Sequence, residues 1–330
     1  VGFFQMTMKN GMRCSAAAAY LKPIRSRKNL HIITHAHTDK IEFDGKRATA
    51  VMARVRGKSQ RIKVGREIIL SAGSIGSPQI LMLSGIGDQN DLGKHGIEPT
   101  HHLPGVGRNL QDHLQARPVF KCNASTINTE TKNPLQLASI ALEYAFKRSG
   151  PMAMAASLGT AFLKTHDALE TPDIQFHLQP FSADSVAEGS HKFSAFTASV
   201  LQLRPESAGH LELVSANADD YPAIHPNYLA TKTDCDTIVA GIKIARAVCQ
   251  TEPVKSLITE EYAPGAAVAD DDDAILDWAR NTATTIYHPT GTCKMGQDKM
   301  AVVDEKLRVY GVQNLRVADA SIMPVITSGN

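Results

Sequence analysis

Long apolar runs are missing from this sequence: no stretch approaches the roughly 20 consecutive apolar residues that a membrane-spanning helix needs. An excess of one charge is missing too. Thirty-five Lys and Arg stand against 33 Asp and Glu, for a formal net charge of +2. That balance offers no argument for a nucleic-acid or membrane-surface partner. Cysteines are few and scattered. Cys14, Cys122, Cys235, Cys249 and Cys293 are odd in number and never form a C-x-x-C pair. This excludes a disulfide framework and a zinc cage, while leaving room for one disulfide. The G-x-S-x-G elbow of many hydrolases is absent, and so is G-x-G-x-x-G. No internal repeat or low-complexity tract is present.

What remains is the composition of an ordinary globular chain, 43% hydrophobic and 21% charged. Its 330 residues are long for one domain and comfortable for two. The chain opens on Val1 within a segment that reads as structured, as a fragment or processed chain would.

Local patterns define the first hundred residues. Ser15 caps an Ala-rich helix ending near Tyr20–Leu21, before Pro23. "NLHIITHA" reads as a strand from its β-branched content. "DKIEFDGKRATAVMARV" reads as two strands around an Asp44-Gly45 turn. The apolar run Ile68–Leu70 enters a glycine turn, and a helix follows with Ser77 as N-cap and Pro78 at its first position. The texture changes near residue 115 and returns near 280. Between these points lie Pro-flanked strands and the helices "LQLASIALEYAFKRSG", "TDCDTIVAGIKIARAVCQ" and "ADDDDAILDWARNTA". The middle reads as an insert between two parts of one α/β domain.

The candidate chemistry is sparse. Amide groups after Gly73 can face a negatively charged ligand at a helix start. His35 and His37 would share a face of a strand, which suits a metal, but no carboxylate or cysteine stands at a recognised spacing. "DQNDLGKHGIEP" fails as a calcium loop because Pro99 occupies the place of the glutamate. The aspartate run at 270–273 complements a helix dipole. His288 sits in "TTIYHPTGTCKMG" between Tyr287 and Pro289. Its backbone is restrained, which would hold an imidazole steady for proton abstraction. Local pattern leaves it a base, a ligand or a structural histidine.

Several stretches together resemble the glucose-methanol-choline oxidoreductase family. "GSIGSPQILMLSGIG" (Gly73–Gly87) is similar to its second signature, and "YHPTGTCKMG" (Tyr287–Gly296) to its active-site histidine segment. "LRVADASIMPVITSGN" (Leu315–Asn330) resembles its closing flavin-contact segment. "LPGVGRNLQDH" (Leu103–His113) and "NGMRCSAAAAYL" (Asn10–Leu21) resemble it as well. The pattern is most like that of insect members acting as FAD-dependent glucose dehydrogenases, which favours an extracellular location.

The resemblance implies an α/β fold, α+β overall. Residues 1–115 and 281–330 would be part of an FAD-binding Rossmann-like domain. Residues 116–280 would form a substrate domain with a large antiparallel sheet. It implies FAD as cofactor, with Thr38, Gly73, Asp319 and Ala320 near it. His288 becomes the base for oxidation of an alcohol or sugar CH–OH group, with hydride passing to flavin N5 and then electrons to oxygen or a quinone. No metal is implied. The second catalytic residue is expected just beyond Asn330, which neighbours it and is a weak substitute. The absence of the family's first glycine motif implies a longer parent, so the chain by itself is expected to be inactive and colourless. The competing reading is a non-catalytic module of the same family that binds or supports.

Overall fold

The computed structural model describes residues 1–155, 157–184, 189–268 and 270–329. Along the chain, β1 (Gly2–Phe3) precedes a meander of β2 (Ala36–Asp44), β3 (Arg47–Val55) and β4 (Lys58–Lys63). β5 (Ile68–Leu70) leads into α1 (Gly73–Leu83). β6 (Arg108–Leu110), β7 (Leu114–Ala116) and β8 (Val119–Cys122) follow, then α2 (Pro134–Lys147). β9 (Gly159–Leu163), β10 (Ile174–Gln179) and β11 (Ala195–Gln202) run next, with β12 (Gly209–Glu212) and β13 (Ala223–His225) behind them. The chain continues through α3 (Lys232–Cys249), β14 (Ile258–Ala263), α4 (Asp272–Thr282), β15 (Thr284–Thr285) and β16 (Leu315–Val317).

An eight-stranded sheet dominates, in the order β1-β9-β10-β11-β7-β15, with β8 pairing both β11 and β14. All of its pairings are antiparallel. α3 covers it with Ile238, Val239, Ile242 and Ala245, spaced at three and four residues along one helical face. Ile275 and Ala279 of α4 complete this core. A second core joins Ile41, Leu70, Leu81 and Ile86 to Val302, Val309, Leu315 and Val317, so two stretches far apart in sequence share one interior. Here β5 and β16 lie side by side in parallel. The expected mixed fold with a large antiparallel sheet is what forms.

Two local expectations fail. "NLHIITHA" is not a strand: pairing begins only at Ala36. Ile32 and Ile33 are exposed and His35 has a positive φ of 54°, so the backbone turns instead of extending. β-branched residues favour a strand only where a neighbour exists to pair with. His35 therefore lies outside the strand, and His37 bonds the Ala218 carbonyl at 3.1 Å. The second failure is the start of α1, which begins at Gly73, leaving Pro78 inside the helix. Proline cannot donate to the carbonyl of Ser74 four residues back. Thr292 Oγ1 donates to that carbonyl at 2.6 Å, so a distant residue supplies the bond the proline cannot. Ser77 is no cap, because its hydroxyl is buried and donates to Asp319 Oδ2 at 2.5 Å.

All five cysteines are free. Cys293 is fully buried in the second core, and burial pushes its thiol pKa up. A thiol held neutral is no nucleophilic partner for His288.

Candidate active site

His288 is held by two antiparallel stretches. β15 pairs with β7, and the Ile286 amide donates to the His113 carbonyl at 3.2 Å. Beyond the histidine, Gln111 and Thr290 exchange amide-to-carbonyl bonds of 3.1 and 2.8 Å. Between these clasps the chain bulges, with Tyr287 at a positive φ of 66°. Gly291 permits the closure: at φ 87°, a Cβ there would sit 2.3 Å from the Asn109 carbonyl oxygen.

The centre of the bulge is Asp112, a buried carboxylate. One oxygen accepts from the amides of His113 (2.9 Å) and His288 (3.0 Å). The other accepts from Tyr228 Oη at 2.5 Å and from Thr285 Oγ1. Four donors satisfy the buried charge without a cation. Burial and this carboxylate both hold the Tyr228 phenol protonated, so it stays a donor. Pro289 restrains His288 as expected, but the carboxylate anchoring its amide was not legible.

Three imidazoles gather beside it. His113 Nε2 lies 3.1 Å from the Leu203 carbonyl, and its Nδ1 lies 3.4 Å from His288 Nδ1. The rings meet edge to face, 5.7 Å apart. A carbonyl only accepts, so His113 carries its proton on Nε2. Burial lowers the His113 pKa, which keeps the ring neutral and leaves Nδ1 with a lone pair. The proton between the two Nδ1 atoms therefore belongs to His288, and His288 Nε2 is bare. That nitrogen has no hydrogen-bond partner among the described residues. Burial also lowers the His288 pKa, outweighing the opposing pull of Asp112. His288 thus presents a neutral nitrogen base at pH 7.

His177 of β10 is the third ring. Burial, with smaller contributions from His288 and His113, pushes its pKa down to about 4. Its Nδ1 lies 3.4 Å from Ser157 Oγ, and the Phe4 ring packs edge-on at 4.8 Å.

The predicted cofactor residues converge in part. Asp319 Oδ2 accepts from the Gly73 amide at 3.0 Å, and Oδ1 from the Ser321 amide at 2.9 Å. The amide of Gly73 was expected to face a negatively charged ligand; the chain's own carboxylate takes that place. The Ala320 carbonyl accepts from Gly291 at 3.3 Å, and Ser74 Oγ donates to the Pro289 carbonyl at 2.6 Å. Gly73, Asp319, Ala320 and the His288 loop are therefore knit together. Thr38 is outside this junction, opposite Ala53 in the β2–β3 ladder. Asn330 lies outside the described residues. A cleft of about 1380 Å³ beside β2, β3 and the end of α1 includes none of these residues.

Asp112, His113, His177 and Tyr228 were not singled out from sequence. Asp112 and His113 close the stretch "LPGVGRNLQDH", but nothing in the pattern said which of its residues would reach His288.

Comparison with known proteins settles the family. The N-terminal and C-terminal profiles of GMC oxidoreductases match residues 1–115 and 205–330. The chain belongs to the GMC oxidoreductase family. Among curated GMC relatives, an alcohol dehydrogenase (acceptor) of Pseudomonas putida is 40% identical over 333 residues, covering 100% of this chain and 60% of its own. The mitochondrial choline dehydrogenase of Homo sapiens is 41% identical, covering 100% of this chain and 56% of its own. The chain thus spans about 60% of the length of such relatives. Among solved GMC structures, formate oxidase superposes with a TM-score of 0.90 at 26% identity, covering 98% of this chain and 61% of its own. Pyridoxine 4-oxidase from Mesorbium loti gives 0.84 at 27% identity, with 98% of this chain and 59% of that one covered.

Proposed function

We propose that this chain carries the catalytic base and part of the cofactor site of an FAD-dependent oxidoreductase acting on CH–OH groups. The observation that carries the reading is the contact of His288 Nδ1 with His113 Nδ1 at 3.4 Å, with His113 Nε2 turned to the Leu203 carbonyl, which supports a His288 protonated at Nδ1 and bare at Nε2. The names of the curated relatives, alcohol and choline dehydrogenases, support an alcohol as substrate, with a sugar alcohol group equally open to the same chemistry. Oxygen or a quinone would be the final electron acceptor. On this reading residues 1–115 and 281–330 form the cofactor-binding part and 116–280 the substrate wall, a division supported by the two separate cores.

FAD fits the junction near Gly73 in three respects. The site lies at the C-terminal ends of two parallel strands, where open α/β sheets bind their ligands. Ser71, Ala72 and Ala318 there are exposed. The space beside Gly73 is open, since a Cβ built on it meets nothing within 4 Å. A carboxylate at this point suits hydroxyl groups and not phosphates, so Asp319 and Ala320 would hold the polyol portion of the cofactor. Thr38 would meet its adenine end. Bound flavin supplies a hydride acceptor.

The chain's own residues do the proton work. His288 Nε2 accepts the hydroxyl proton as the C–H bond breaks and the carbonyl forms. The ring becomes an imidazolium, whose Nδ1–H bond to His113 then gains strength. Asp112, beside it, stabilises that positive charge. A neighbouring neutral His177 avoids opposing it.

The test uses protein expressed from the complete coding sequence and loaded with FAD. Oxidation of choline and short alcohols is followed with an artificial acceptor. His288→Ala should lower kcat by about 10²–10⁴-fold while flavin absorbance persists. Undiminished turnover in that variant would remove His288 from the reaction.

A further inference from the structure

The hairpin of β12 and β13 brings together three side chains that are separated in sequence. His210 and Glu212 are two residues apart on β12, so they point to one face. His225 is the direct cross-strand partner of His210. The two rings stack at 4.7 Å, 22° from parallel. His210 Nε2 is 3.2 Å from Glu212 Oε1. One ligand atom from each of the three lies within 4.8 Å of the others. This group is not legible in the sequence, because its spacing follows the length of a hairpin loop and matches no metal motif.

We propose that His210, Glu212 and His225 form a binding site for a zinc-class divalent ion, distinct from the His288 site. Two ligand atoms on a tetrahedral zinc lie roughly 3.3 Å apart, which follows from bonds of about 2.0–2.1 Å. The His210–Glu212 pair already has that spacing, at 3.2 Å. His225 is exposed, and its ligand atom lies within 4.8 Å of the other two, a gap that a side-chain rotation would close. Two imidazole nitrogens with one carboxylate oxygen match zinc and its neighbours, whereas calcium and magnesium favour all-oxygen sets. Water completes the shell on the open side.

The competing cation is Arg108. Its Nη1 lies 3.8 Å from Glu212 Oε1, while its Nη2 is held by Asp91 at 2.7 Å. The metal can therefore take the glutamate without stripping Arg108 of its main partner. Binding would clip β12 to β13 and so fix the 213–222 connection. In that connection Asp219 pairs with Arg54 at 2.6 Å and the Asp220 carbonyl accepts from Gln79 at 2.9 Å.

Zn²⁺ is titrated calorimetrically into tag-free protein expressed from the complete coding sequence, and Co²⁺ is followed by difference absorption. We expect one site of higher affinity than any other, indifferent to Mg²⁺, with a Co²⁺ spectrum of nitrogen and oxygen ligands. His225→Ala, an exposed change that leaves the fold intact, should weaken binding about tenfold or more. His210→Asn should do the same. Zinc affinity unchanged in both variants would overturn the site, as would a thiolate charge-transfer band placing the ion on a cysteine.

Discussion

His113→Leu keeps an apolar bulk in place and removes both ring nitrogens. Two bonds go with them, to the Leu203 carbonyl at 3.1 Å and to His288 Nδ1 at 3.4 Å. The first loss strips a buried carbonyl of its donor and should cost about 1–3 kcal/mol of stability. The second frees His288 to carry its proton on either nitrogen. A hydrogen bond of that length contributes about 0.5–1 kcal/mol net. Since 1.36 kcal/mol is tenfold in rate, the base should act roughly twofold to fivefold more slowly. The assay is ¹⁵N NMR of histidine-labelled protein, which distinguishes the two tautomers directly. In the wild type, His288 should be protonated at Nδ1 and bare at Nε2; in His113→Leu the Nε2–H form should gain. His113→Gln should restore the original tautomer, because its amide can donate to Leu203 while its oxygen accepts from His288. A wild-type His288 protonated at Nε2 would refute the reasoning, whatever the activity.

Gly291→Ala should lose about 2–4 kcal/mol in urea unfolding, since it adds a Cβ 2.3 Å from the Asn109 oxygen at a φ of 87°. An unchanged midpoint would mean that the 109–291 contact yields freely. Acid should weaken the fold through His177, whose pKa falls from 6.5 to about 4 on burial. Between those values the unfolded chain binds the extra proton, so stability is full above pH 6.5 and drops by about 3 kcal/mol as pH falls to about 4. The lowered pKa values of His113 and His288 act in the same direction. Unfolding measured across this range should become flatter in His177→Gln, and an identical slope would assign the acid sensitivity elsewhere.

Much of this molecule could be read from its sequence where the signal was local. The Asp44-Gly45 hairpin, the helix periodicity of α3 and the acidic start of α4 all depend on residues a few positions apart. His288 was found through a family pattern and through its proline. The rest depended on pairs that no window spans. Asp112 meets the His288 amide across 176 positions, and His113 meets its ring across 175. Thr292 repairs the helix around Pro78 from 218 positions away, so the proline suggested a helix start where the chain had another means to continue. The error at 29–35 has the same origin: residue type said strand, and only the fold could say that no partner was there.

The bond between Asp319 and Gly73 also has a history in time. Gly73 emerges from the ribosome 246 residues before the aspartate that will hold it. At about 5–20 residues per second, that is a wait of about 12–50 s. Throughout it, β5 lacks the β16 strand that will lie alongside it, and the Ser77 hydroxyl lacks its acceptor. A nascent chain in this state offers an unpaired strand edge to any neighbour. The same bond that ties Gly73 to Asp319 therefore makes its early segment a natural client for chaperones during synthesis.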